Sequence, residues 1–155
     1  MSIAIRIAKA GDLQEITSIF RDTIRHVNSK DYNPLQIAVW SGAADDTERW
    51  LKRINDYYFI VAEQNDRVVG FAYLSAANYF GGLFVDKDLQ GKGIATRLLN
   101  DIEDKAKDNG HDIIESDVSI TALPFFEKHG YKVERKQRKL VKGMVFENFI
   151  VSKEI

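Results

Sequence analysis

The chain has 155 residues, 45% of them apolar and 29% charged, which fits one globular domain spanning 1–155 with a core of its own. Lys and Arg number 22 against 23 Asp and Glu, so no global field draws nucleic acid or an anionic membrane. With no cysteine, disulfides, thiolate metal sites and a cysteine acyl-enzyme are excluded, and no apolar run approaches the roughly 20 residues of a membrane span or the core of a signal peptide, so a cytoplasmic protein is the expectation.

Ser2 to Ala8 alternates isoleucines with smaller or charged residues and reads as a half-buried strand. Asp12, with Glu15 three residues on, reads as the capping box of a helix that runs to about His26. Asn33-Pro34 opens a short helix that Ser41-Gly42 ends, and another begins near Asp45-Asp46-Thr47. The period then becomes that of strands. Tyr58 to Glu63 and Arg67 to Ser75 flank an Asn65-Asp66 hairpin turn, and Tyr79 to Val85 follows as a third strand. Gly91 to Asn109 is the clearest helix, apolar on one face and charged on the other, with Gly110 as its C-terminal stop. A strand over Asp112 to Val118, a short helix over Thr121 to His129, and strands over Tyr131 to Arg138 and Met144 to Val151 complete the chain. This order predicts an α/β (α+β) domain in which a mixed sheet is covered by helices.

The stretch with chemistry in it runs from Gly81 to Thr96. A strand ending in Val85 leads through a polar loop into Gln90-Gly91-Lys92-Gly93-Ile94-Ala95-Thr96 and the long helix. The first turn of a helix presents unpaired N–H groups and the positive end of its dipole, so this junction is a candidate anion site. Gly91 and Gly93 remove side chains that would keep a pyrophosphate away, and Lys92 adds charge. The alternative is two glycines at an ordinary loop-to-helix junction. A Walker loop and a dinucleotide fingerprint both fail here: the first lacks its upstream glycine, and the second meets Thr96 where it requires glycine.

Gln90-x-x-Gly93-x-Ala95 after a strand resembles the Gln/Arg-x-x-Gly-x-Gly/Ala signature of the GCN5-related N-acetyltransferases. The run from Ser119 through Glu127-Lys128-His129-Gly130-Tyr131 is similar to that family's second signature, and the order of elements matches over essentially the whole chain. The resemblance implies a sheet of about seven mostly antiparallel strands with about four helices, splayed at a cofactor cleft. It implies acetyl-CoA as co-substrate, with no metal, and an acceptor that is a primary amine of a small molecule or peptide. The residues it assigns to the cofactor are Leu83, Phe84 and Val85 along the strand, Gln90, Gly91, Lys92, Gly93, Ile94, Ala95 and Thr96 in the loop, and Ser119 and Phe126. A backbone N–H near Val85 would polarise the acetyl carbonyl.

The sequence departs from the family at Phe126, where a tyrosine acid is usual, and at Ser119, where an asparagine is usual. Gly81 to Phe84 also offers no carboxylate base. Asp117, which shares a strand face with Glu115 and Ser119, and Tyr79 are the substitutes the sequence nominates, with Tyr73 near them. His26, Tyr32 and Trp40 are the candidates for the acceptor side; capping of the first helix and packing of the second are the competing roles. His111 and His129 lack ligand-spaced partners. The six basic residues of Lys132 to Lys142 read as a solvated hairpin. A monomer or a homodimer fits the sequence equally, and a non-catalytic acyl-CoA-binding module is the alternative to an enzyme.

Overall fold

A computed structural model describes residues 2–75 and 78–155 of the chain. The strands are β1 (Ala4–Ile7), β2 (Tyr58–Gln64), β3 (Arg67–Leu74), β4 (Tyr79–Val85), β5 (Ile113–Ser119), β6 (Lys132–Val141) and β7 (Met144–Glu154). The helices are α1 (Leu13–His26), α2 (Pro34–Gly42), α3 (Thr47–Asp56), α4 (Ile94–Asp108) and α5 (Leu123–Lys128). Among the described residues they make a seven-stranded sheet in the order β1-β2-β3-β4-β5-β7-β6. Every pairing is antiparallel except that of β4 with β5.

Helices cover both faces of this sheet, so its central strands bury both sets of side chains. Along β2, Ile60 and Ala62 pack with Leu98, Leu99 and Ile102 of α4, while Phe59 and Val61 pack with Ile16 and Phe20 of α1 and Trp50 of α3. That is why β3 is buried at every position after Arg67 and does not alternate. Asn65 and Asp66 both take positive φ, the backbone of a two-residue hairpin turn whose twist matches its strands. Lys142 and Gly143 do the same between β6 and β7, which pair continuously and extend three residues past each end that periodicity suggested, at Arg138 and Val151. No helix among the described residues is long and apolar enough to cross a membrane.

Two helix starts differ from the sequence reading. Asp12 does not cap α1 with its side chain. Its carboxylate instead accepts from both terminal nitrogens of Arg6, at 2.8 and 2.9 Å, and from the Lys9 N–H at 2.8 Å. Glu15 accepts from the Val68 N–H at 2.9 Å, which ties α1 to β3. A charged partner on β1 outcompetes the local cap because a charge-assisted, bidentate pair is stronger than one N–H contact. The long helix begins at Ile94, after Gly91 and Gly93, because both glycines adopt left-handed φ that no helical turn contains.

The Arg6 guanidinium holds the Asp12 carboxyl below its ordinary value, so its contribution is present above about pH 4 and is lost as pH falls through the folded-state value. Asp12→Asn should therefore cost about 1.5–3 kcal/mol at pH 7. Urea denaturation should show that deficit shrinking as the pH is lowered below about 4.

Candidate active site

β4 and β5 touch at only two residue pairs, Tyr79 with Glu115 and Phe80 with Ser116. Beyond them the strands part, and a cleft of about 1160 Å³ opens between Gly81–Val85 and Asp117–Ser119, somewhat above the usual range of roughly 300–1,000 Å³ for small-molecule sites. The Ser116 hydroxyl closes the apex by donating to the Phe80 carbonyl at 2.7 Å. The β3 pairing fixes which main-chain groups face this opening. Asp86 N–H donates to Val69 O, so Val85 and Leu83, alternating with residues bonded to β3, turn their N–H and C=O groups toward the cleft. The Val85 carbonyl is already satisfied twice, by Thr23 Oγ1 at 3.0 Å and Gln90 Nε2 at 2.7 Å. Gln90 thus fastens the loop to the strand, and the Val85 N–H and both Leu83 groups stay available to a ligand.

Gly81 is the extra residue of a bulge: Tyr73 pairs with Gly82 while Leu74 pairs with Phe80. The Tyr73 ring lies flat against this bulge. A Cβ at Gly81 would sit 2.2 Å from Tyr73 Cε2, and one at Gly82 2.6 Å from Cε1. The glycine pair, read above only as lacking a carboxylate, is there for this close approach. At the other end, Gly93 (φ +84°) precedes the first turn of the 15-residue α4 with open space in front of its Cα. That is the geometry an anion needs to reach helix N–H groups.

The structure gathers most of the nominated residues. Leu83, Phe84, Val85, Gln90, Gly91, Gly93, Ile94, Ala95, Thr96 and Ser119 all border the cleft. Lys92 does not; its side chain is exposed outside the wall. Phe126 reaches the floor only by its edge, being 4% exposed and packed edge-on against Phe80, Phe125 and Tyr131. Ser119 is committed to structure, its hydroxyl accepting from Ala122 N and Asn28 Nδ2. On the acceptor side, Tyr32 and Trp40 form a wall with Phe146, and the Tyr32 hydroxyl is tied to Glu147 O and Ile120 N. His26 is a correction: Phe20 and Thr23 of α1 and Val27 just after it line the cleft, and His26 lies off that stripe, exposed in the last turn. His129 was passed over and does line the cleft, its ring between Thr96 Oγ1 (3.2 Å) and Phe125 O (2.9 Å). No sequence spacing links His129 to Thr96; the fold of α5 back on α4 brings them together.

At the apex, Asp117 Oδ2 accepts from Gln137 Nε2 at 3.0 Å and has Lys139 Nζ at 3.8 Å. Tyr79 stands beside it in the cleft, and burial first, then the Asp117 charge, push its phenol well above the ordinary value. Tyr79 therefore stays protonated at neutral pH, a proton donor and not a base. Burial does the same to Tyr73, partly offset by the guanidinium groups of Arg53 and Arg49. The arrangement offers an extended main-chain edge, an anion pocket at one end, and a carboxylate with a protonated phenol at the other.

The sequence pattern of the acetyltransferase (GNAT) domain matches residues 28–152. The uncharacterized N-acetyltransferase YafP of Escherichia coli K12 is 33% identical over 148 residues, covering 96% of this chain and 93% of its own. The L-amino acid N-acyltransferase MnaT of the same organism is 26% identical over 125 residues, or 72% of this chain and 67% of its own. The GCN5-related N-acetyltransferase from Rhodopseudomonas palustris superposes with a TM-score of 0.96 at 27% identity, covering 100% of this chain and 97% of its own. The PaiA N-acetyltransferase of Thermoplasma acidophilum, solved with coenzyme A, superposes at 0.83 with 24% identity and full coverage of both. This chain belongs to the GNAT acetyltransferase family, and it is an enzyme of that class.

Gly81→Ala and Gly93→Ala separate two reasons for a glycine. The first should cost about 1–3 kcal/mol because its methyl collides with a packed ring. The second should cost about 1–2 kcal/mol for backbone conformation alone, since nothing crowds it. Urea denaturation of both, with Gly81→Ala also disturbing the near-ultraviolet tyrosine signal, is the check.

Proposed function

We propose that this chain, as a single domain, transfers the acetyl group of acetyl-CoA to the primary amine of a small molecule or peptide, by direct attack of the amine on the thioester. The observation that carries this reading is the parting of β4 from β5 beside a glycine loop at the start of α4. An extended pantetheine arm can pair with Leu83 and Val85 as an added strand, and the pyrophosphate can sit on the N–H groups that follow Gly91. The relatives support the co-substrate: PaiA was solved with coenzyme A, and MnaT is named for acyl transfer to amino acids.

The chain's own groups supply a complete proton path. An alkylamine, with a pKa of roughly 10, must lose a proton before or as it attacks. The C–N bond forms at the acetyl carbonyl while the Val85 N–H stabilises the developing oxyanion. The C–S bond then breaks. Asp117 receives the amine proton and passes it to the Tyr79 oxygen as Tyr79 gives its own to the departing thiolate, so that no free phenolate is formed. Tyr79 thereby takes the place of the tyrosine missing at Phe126.

Calorimetry should show acetyl-CoA binding, and the same sample should release free thiol in the presence of amines. Tyr79→Phe and Asp117→Asn should each lower kcat by roughly 10- to 1000-fold while leaving acetyl-CoA affinity within about threefold. Binding without thiol release from any amine would overturn transfer in favour of a binding-only role.

A further inference from the structure

The acceptor end of the cleft carries a feature that amine transfer alone does not require. α3 lies across the opening next to the β4 bulge and brings Arg49 and Arg53 to its wall. The Arg53 guanidinium is clamped between aromatic faces, 4.8 Å from the Trp50 ring centre and 5.5 Å from that of Tyr73. Trp50 is 1% exposed and Tyr73 is stacked on Phe59 and Tyr57, so this platform is rigid. Neither arginine is in an ion pair among the described residues. The acidic residues on the same wall are engaged elsewhere: Asp45 with Arg21, and Asp46 in capping the Arg49 N–H.

A guanidinium fixed over two rings, half-buried and with its fork free, is arranged for a planar anion. Its position sets the scale. The Tyr73 ring that carries Arg53 is the same ring that rests on Gly81 and Gly82, so one aromatic ring separates the cation from the strand where acetyl transfer is placed. Asp117 of β5, with the Tyr79 phenol of β4 beside it, borders the same cleft. The cleft thus holds a carboxylate where an amine would lose its proton and an unpaired guanidinium on its α3 wall.

We propose that Arg53, with Arg49 beside it, binds a carboxylate of the acceptor, so that the substrate is a compact amino-carboxylate of the amino-acid type and Arg53 sets specificity. The idea rests on the transfer function argued above and deepens it. The carboxylate takes the guanidinium fork in a two-point contact while the amine, a few bonds away, faces the Gly81–Gly82 turn. Polyamines and other purely cationic amines meet two unpaired positive charges at the same place and are disfavoured.

The test compares each of several amino acids with its own amide and its decarboxylated amine, using thiol release on the full chain and acetyl-CoA calorimetry in parallel. The expected result is a kcat/KM preference for the amino acids of roughly 10- to 100-fold, expressed mainly in KM. Arg53→Gln should collapse that ratio, Arg53→Lys should recover part of it, and Arg49→Gln, on an exposed side chain, should lower it less. Acetyl-CoA affinity should be retained in all three. Equal turnover of acids, amides and amines by the unaltered protein, turnover of none of the acids, or a ratio that survives Arg53→Gln would each overturn the proposal alone. Failure to bind acetyl-CoA would overturn the transfer function and this assignment with it.

Discussion

A parallel neighbour that pairs for only two residues governs the rest of the molecule. β4 and β5 are joined at Tyr79 and Phe80 and nowhere else, and each is held on its other side by a full antiparallel ladder. Two sub-sheets thus meet at a hinge-like apex. The main-chain groups of Leu83 and Val85 are left without strand partners in the middle of a protein, where unpaired N–H and C=O groups are costly. Part of that cost is met internally, by Thr23 and Gln90 on the Val85 carbonyl. The remaining groups border the open cleft.

The elements around the opening follow from that parting of the strands. The bulge at Gly81 turns the strand at the apex, and its two bare Cα atoms admit the Tyr73 ring. That ring is one layer in a stack with Phe59 and Tyr57, with Arg53 above it. A single packing arrangement therefore links core, strand bend and cationic end of the cleft. At the opposite end, α4 is anchored by Leu98, Leu99 and Ile102 against the sheet, which keeps its first turn aimed into the gap.

The two chemical poles are built differently. Asp117 depends on the C-terminal hairpin: Gln137 and Lys139 of β6 reach it across β7, so this hairpin, exposed along most of its outer edge, buttresses the carboxylate. Its basic residues are thus not all a solvated face. Tyr79 stands beside that carboxylate, whose charge together with partial burial raises its phenol further above neutral pH. Phe126, where the family usually carries a tyrosine, is used as core, packed edge-on against Phe80.

Much of this was legible in the residues themselves. Every strand and helix announced itself by period, by a turn dipeptide or by a glycine stop, because those signals depend on neighbours within a few positions. The Gln90 to Thr96 junction was legible for the same reason: backbone freedom at two glycines and a helix start are local properties. Asp12 misled because its partner, Arg6, sits on a strand and competes through charge, which no capping pattern encodes. His26 misled because one residue of helical rotation separates the cleft stripe from solvent. Sequence alone determined the family's fold and the left-handed glycine junction that opens α4, because both rest on local signals. The tertiary structure decided that Arg53 meets Tyr73, Tyr79 meets Asp117 and His129 meets Thr96, since residues this far apart in the chain are brought together only by the sheet order and by how the helices pack on it.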